Sequence, residues 1–512
     1  MNSTSFSEKA TGRQWIGLAV IALPCMLYSM DLTVLNLALP ALSAALRPSA
    51  SQLLWIIDIY GFMVAGFLIT MGNLGDRIGR RRLLLVGAAA FGCASLLAAF
   101  STSAEMLIAM RALLGIAGAT LAPSTLSLIR NMFHDPGQRT FAIGVWISSY
   151  SVGAAIGPVL GGVLLEHLWW GSVFLINVPV MVLLLVLGPL LLPEFRDPAA
   201  RRIDPASVAL SIAAVLLAIY GLKQIAEHGA GWIALASIAA GLALGIAFVR
   251  RQRLLTAPLI DLRLFRNAAF GVAIGTYTLS CFVVFGVFIF IAQHLQGVLG
   301  LSPMAAGLWM APWAFAFIAG SLATPALASR FGRKATIVGG LCIAAAGFAL
   351  LGWAADKTGP AGIALAEVVQ SLGLAPIFTL ATDLVLAAAP PERAGSAAAI
   401  SETASEFGGA LGIAIFGSIG TAIYRAAMLD LAPPGVPPPL LEAARGTLGA
   451  AVELSAQLEG TAAAAVREAA RAAFVRGLQW ASAVAVVTML ATALLAARAL
   501  RTREPLAQAT NV

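Results

Sequence analysis

Apolar residues run in long blocks along this chain, and charged residues gather in the short gaps between the blocks. A helix needs about 20 apolar residues to cross the hydrocarbon core of a bilayer. Fourteen stretches meet that length, beginning near residues 15, 51, 83, 105, 139, 171, 205, 231, 268, 304, 335, 360, 393 and 475. Gly and Pro interrupt many of them, which spanning helices tolerate. The pattern therefore predicts an all-α membrane protein of fourteen transmembrane helices, with lipid as solvent for most of its surface. The first block follows Lys9 and Arg13 as a signal peptide's would, but it is too long and carries Asp31. An uncleaved first span is the expectation.

Composition supports this. Of 512 residues, 60% are hydrophobic and only 11% are charged, too few polar groups to cover a soluble fold. The net charge of +8 would suggest nucleic acid if the basic residues shared a surface. Instead they occupy short loops, as in Arg77/Arg80/Arg81/Arg82, Arg250/Arg251/Arg253 and Arg330/Arg333/Lys334. With the N-terminus inside, most basic residues fall on the inner side, while Arg47, Lys223 and Lys357 fall in short outer loops. The positive-inside rule then places both termini in the cytoplasm. The four cysteines lie in apolar runs without CxxC pairing and read as small packing residues.

The chain repeats. Asp76-Arg77-Ile78-Gly79-Arg80-Arg81 parallels Ser329-Arg330-Phe331-Gly332-Arg333-Lys334, and Val152–Gly157 parallels Phe407–Gly412 at nearly the same offset. This predicts two homologous six-helix halves, residues 15–195 and 256–500, separated by a two-helix insert at 196–255 and flanked by tails at 1–14 and 501–512. Repeated halves are the usual build of secondary transporters, with the site at their interface. A Pro-rich outer loop at 425–473 precedes the last span. Its Ala/Glu/Arg-rich part has the composition of one or two amphipathic helices, and a spacer or cap is the plainer role.

Ionisable groups inside spans are costly and are functional candidates by default. Asp31, Asp58, Arg111, Asp383, Glu402 and Glu406 qualify. Glu402 and Glu406 are one helical turn apart and share a face. A carboxylate removed from water favours its neutral form, and two close carboxylates resist joint ionisation. Such a site can hold a proton and exchange it for a cation. Asp31 would be the main coupling carboxylate of the first half, with Asp58 nearby and Arg111 tuning Asp31. Pairing with Arg111 or a helix end is the bland alternative, strongest for Asp383. Trp55, Tyr60, Trp146, Tyr150, Phe285, Trp309, Trp313, Phe378 and Phe407 are candidate cavity rings, suited to quaternary ammonium through cation–π contact, although any one ring taken alone is more often a packing residue.

Four motifs carry a family resemblance. Gly72-Asn73-Leu74-Gly75-Asp76-Arg77-Ile78-Gly79-Arg80-Arg81-Arg82 joins spans 2 and 3, and Met30–Pro40 lies in span 1. Arg111 with Gly115 and Gly118 marks span 4, and Gly153, Gly157, Pro158, Gly161 and Gly162 mark span 5. Together they resemble the major facilitator superfamily, within it the fourteen-span drug:proton antiporters, and more narrowly the quaternary-ammonium and methyl-viologen efflux pumps. That resemblance implies export of organic cations in exchange for protons by a monomeric protein that needs no cofactor, with the bilayer, protons and small cations as its partners. It also implies that Gly72, Asp76, Arg77, Gly79 and Arg80 latch one conformation. The Gly153/Gly157/Gly161 face suits close helix approach, for which a rocking interface between halves is one use and ordinary packing the other. Span 10 has no acidic residue, a point on which related pumps vary.

No Gly-Lys dipeptide occurs, which excludes a P-loop. His134, His167, His228 and His294 are scattered, so no metal site and no enzyme is suggested. The competing readings are export of an endogenous amphiphile or siderophore on the same scaffold, and a non-transporting membrane sensor.

Overall fold

A computed structural model describes residues 9–196, 203–229, 231–256, 258–431, 442, 444–457 and 460–500. Among them every regular element is helical, and 14 helices are long and apolar enough to cross a membrane. In chain order, spans 1–4 are Gly12–Leu46, Ala50–Ile78, Arg80–Ala99 and Ala104–Met132. Spans 5–8 are Pro136–His167, Ser172–Leu191, Pro205–His228 and Trp232–Leu254. Spans 9–12 are Ala268–Val298, Pro303–Phe331, Arg333–Lys357 and Pro360–Ala388. Spans 13 and 14 are Ala394–Asp430 and Gly460–Ala499.

The halves pack alike. Span 1 lies along span 5 as span 9 lies along span 13, and span 2 meets span 4 as span 10 meets span 12. The glycine repeat makes the first pairing possible. A Cβ on Gly153 would stand 2.0 Å from the Met26 carbonyl of span 1, and one on Gly412 would stand 2.1 Å from the Phe282 carbonyl of span 9. With no side chain, the two backbones meet directly. Gly153 thus closes span 5 onto its own half. Span 5 approaches the other half at Gly144, where a Cβ would lie 2.7 Å from Ser321 O of span 10.

The repeated loop motif also has a geometric cause. Spans 2 and 3 join through the single residue Gly79, with φ 111°, and spans 10 and 11 through Gly332, with φ 82°. A side chain is strained at such angles. At Gly79, Glu194 closes the turn, accepting from the N–H groups of Arg81 and Arg82 at 3.1 Å each. These are free donors at the start of span 3.

Between the halves, span 5 crosses span 10, and span 13 crosses span 2 and the second part of span 4. Span 7 packs on span 8 and lies against both span 2 and span 13. Phe62 and Ala65 of span 2, Ile219 of span 7 and Ala410 of span 13 share one apolar cluster there.

Three boundaries differ from expectation. Span 14 begins at Gly460 and not near 475, because an Ala-rich stretch of strong helix formers extends it beyond its apolar core. The outer loop is correspondingly shorter than 425–473. Span 13 runs to Asp430 and a short helix covers Leu448–Gln457, while the Pro-rich segment at 433–439 and the C-terminal tail at 501–512 lie outside the described residues. Lys223 lies in span 7 and not in a loop, since Asp58 of span 2 pairs with its charge.

Candidate functional site

Span 1 brings Tyr28 and Asp31 to the interior one helical turn apart. Asp31 pairs with Arg111 of span 4 at 2.8 Å, and neither side chain is more than 4% exposed. The guanidinium also donates from Nε to the Ile56 carbonyl of span 2 at 2.7 Å and lies 5.1 Å from the Tyr60 ring centroid. A bare charge at this depth would cost several kcal/mol (about 3–5 when one partner is removed). Here the carboxylate, the carbonyl and the ring face share it.

Beside this pair lies an aromatic cluster. The Tyr28 ring is 5.7 Å from Tyr60 and 5.8 Å from Tyr150, and Tyr150 is 4.9 Å from Trp146. The Tyr28 hydroxyl donates to Glu406 Oε1 of span 13 at 2.9 Å, a hydrogen bond that joins the two halves. Glu402, one turn away on the same helix, has a buried Oε1 without a hydrogen-bond partner among the described residues. Both glutamates are half-buried, although about 12 and 18 Å of helix separate them from the start of span 13. They lie between the halves, Glu406 against Tyr28 of span 1 and both near Tyr277 of span 9. Tyr277 of span 9 lies within electrostatic reach of both and starts a second ring cluster, 5.1 Å from Phe378, which is 5.8 Å from Phe317. Trp313 stacks on Phe317 at 5.4 Å.

Most of the other candidates separate from this centre, while Asp58 stands at its edge through a lysine within electrostatic reach of Glu406. Asp58 pairs with Lys223 of span 7, whose ammonium lies 4.9 Å from the Phe62 ring centroid. Trp55, Phe285 and Trp309 are exposed. Phe407 lines a groove with Ile69, Ala214 and Phe248, toward the inserted spans. Gly157 and Gly161 are buried in span 5, and Pro158's side chain is outside the described residues.

Asp383 is not at the cavity. It sits where the arginine-rich loops emerge, accepting from Arg139 Nε of span 5 at 2.7 Å, Arg333 Nη2 at 3.0 Å and Thr140 Oγ1 at 3.3 Å. Asp76 does similar work at the same end. It accepts from Arg80 Nε at 3.0 Å and from the Gly395 and Ser396 N–H groups of span 13 at 3.0 and 2.9 Å. The free donors and positive end of a helix dipole suit a carboxylate there. Arg80 Nη2 reaches the Pro391 carbonyl at 2.7 Å, and Arg130 Nε reaches that of Leu386 at 3.2 Å. Gly72 allows the approach, since a Cβ there would lie 2.5 Å from Ala399 Cβ. Arg77 is exposed. These bonds tie the two halves together at one end.

A model of the Major Facilitator Superfamily matches residues 21–413. The chain belongs to the major facilitator superfamily. It is 43% identical over 493 residues to the Multidrug efflux pump LfrA of Mycolicibacterium smegmatis, covering 96% of this chain and 97% of that one. It is 37% identical over 484 residues to the Methyl viologen resistance protein SmvA of Salmonella typhimurium, covering 93% and 95%. The crystal structure of the human organic anion transporter MFSD10 superposes with a TM-score of 0.63 at 15% identity, covering 94% of this chain and 99% of that one, a likeness of fold alone. As a major facilitator protein, the chain is a multi-pass membrane protein built as a transporter and related to multidrug efflux pumps.

Sequence reasoning missed Tyr28, Lys223, Arg139 and Glu367. Tyr28 stands one turn before Asp31, which was a usable signal. Glu367 of span 12 is fully buried, and among the described residues neither of its carboxylate oxygens has a hydrogen-bond partner. It lies in an apolar run, and that was the signal for it.

Proposed function

We propose that this major facilitator protein is a proton-coupled antiporter that exports lipophilic organic cations by alternating access. The observation that carries this is Glu406 held by Tyr28 across the two halves, with Glu402 one turn away and rings from both halves around them. A carboxylate at such a place is neutralised by a proton or by a cation, not by both, which is the elementary requirement for exchange. Aromatic faces add about 0.5–2 kcal/mol per cation–π contact and favour cations with little hydration to lose. Asp31 is the corresponding group of the first half. A proton on Asp31 would release Arg111 and alter how span 4 is tied to spans 1 and 2. Among the relatives, SmvA is named for resistance to methyl viologen, an organic cation, and LfrA for multidrug efflux.

The basic loops mark the cytoplasmic side. The Asp76 and Asp383 networks then close the inner end, as in an outward-facing state. Both termini are cytoplasmic, the membrane is the bacterial inner membrane, and one chain suffices because each half supplies part of the site.

The test is proton flux in proteoliposomes preloaded at a different pH. Addition of ethidium or a quaternary ammonium compound should release protons in step with cation uptake. No proton movement with purified, monodisperse protein would refute antiport. Asp31→Asn and Glu406→Gln should each abolish coupled flux; export at the wild-type rate by either would remove that residue from the mechanism.

A further inference from the structure

Spans 7 and 8 stand outside the internal repeat, yet span 7 places a charged group on a cavity-side carboxylate. Spans 2 and 7 run antiparallel, and Ile219 packs on Phe62. One turn further toward the outer end, that register puts Lys223 on Asp58. The ammonium lies 4.9 Å from the Phe62 ring centroid and within electrostatic reach of Glu406 of span 13. Both side chains are largely shielded, at 32% and 18% exposure. An ammonium on a carboxylate beside a ring is the chemistry expected of a bound quaternary-ammonium substrate.

We propose that Lys223 is a tethered internal cation, supplied by the inserted spans, that holds Asp58 in the absence of cargo and must be displaced for Asp58 to take an organic cation. The insert then acts as a built-in competitor. It prevents Asp58 from standing unpaired between transport cycles and sets a threshold that weakly binding cations do not pass. The idea rests on the cation-export reading of the same cavity, and the experiment separates the two.

Tetraphenylphosphonium binding to the purified full-length protein is measured by calorimetry at constant pH and salt. Wild type should bind. Lys223→Gln should bind about fivefold tighter, the equivalent of one partly exposed ion pair. Lys223→Arg should reverse the gain, and Lys223→Gln should give no gain in an Asp58→Asn background. A monodisperse Lys223→Gln protein with unchanged or weaker affinity would overturn the proposal, as would a gain that persists without Asp58. Failure of the wild type to bind would instead sink the cation-export reading, and this proposal with it.

Discussion

Asp76 is the most direct handle on the closed end. Within its own half it pairs with Arg80, a contact that survives if the halves separate. Across the halves it accepts two N–H bonds, from Gly395 at 3.0 Å and Ser396 at 2.9 Å. On the alternating-access reading only these two bonds of Asp76 would differ between closed and open states, so only these would bias the equilibrium. Bonds to a charged group are worth about 1.5–3 kcal/mol each. Water replaces part of that when the end opens, which leaves about 3 kcal/mol for the pair. Asp76→Asn removes the charge and leaves one amide oxygen to serve two donors, so between half and all of that is lost. The closed:open ratio should fall about 10- to 150-fold. Spin labels at Arg82→Cys and Arg330→Cys, at the basic ends of opposite halves, report the separation once the exposed Cys93 and Cys342 are replaced by Ser. The mutant distance distribution should move to longer values. An unchanged distribution in folded protein would refute the assignment of Asp76 as a latch between the halves.

Other expectations follow from single contacts. Arg111→Lys keeps the charge but cannot reach Asp31, Ile56 and the Tyr60 ring together; it should lower thermal stability by about 3 kcal/mol or more, and a melting temperature within 1–2 °C of wild type, far less than that loss implies, would contradict the geometry. Gly153→Ala and Gly412→Ala each drive a methyl into a facing carbonyl and should sharply reduce the monodisperse yield in size-exclusion chromatography. Gly162→Ala and Gly417→Ala, with nothing within 4 Å, should not. At the inner end of the insert, Arg251 holds the Asp204 carboxyl below the usual range, with Ser207 assisting. A lowered folded-state value gives a contribution that is present above the ordinary Asp range and lost only as pH falls below it. Asp204→Asn should therefore leave the shape of the stability profile between pH 5 and 8 unchanged; a new slope in that window would refute the assignment.

Much of the architecture was legible in the chain because lipid imposes simple demands. Apolar length located the spans, and Gly79 and Gly332 marked the repeat because a one-residue turn at positive φ requires glycine. The acidic residues at depth were visible for the same reason. Apart from Arg111 beside Asp31, their partners were not. Arg139 and Arg333 meet Asp383 from distant parts of the chain, and nothing in local pattern aims them there. Lys223 escaped because hydropathy treats a lysine as a reason to end a helix, whereas a carboxylate on a neighbouring span lets the helix continue. Spacing predicts a smooth face at Gly153, but spacing alone does not say which helix fills it, and the helix is span 1 of the same half and not one of the other half.

Span 7 in the crevice between spans 2 and 13 has a mechanical consequence. A pure twofold repeat would present two equivalent flanks and could seesaw evenly. This molecule has one doubled flank and one bare flank, where Gly144 of span 5 lies close against Ser321 of span 10. If the halves rock as proposed above, they would drag extra load along one edge only. The pivot would shift toward that edge, and the widest excursion would belong to the bare flank. A cargo dissolved in the bilayer would then meet a door hinged on one side.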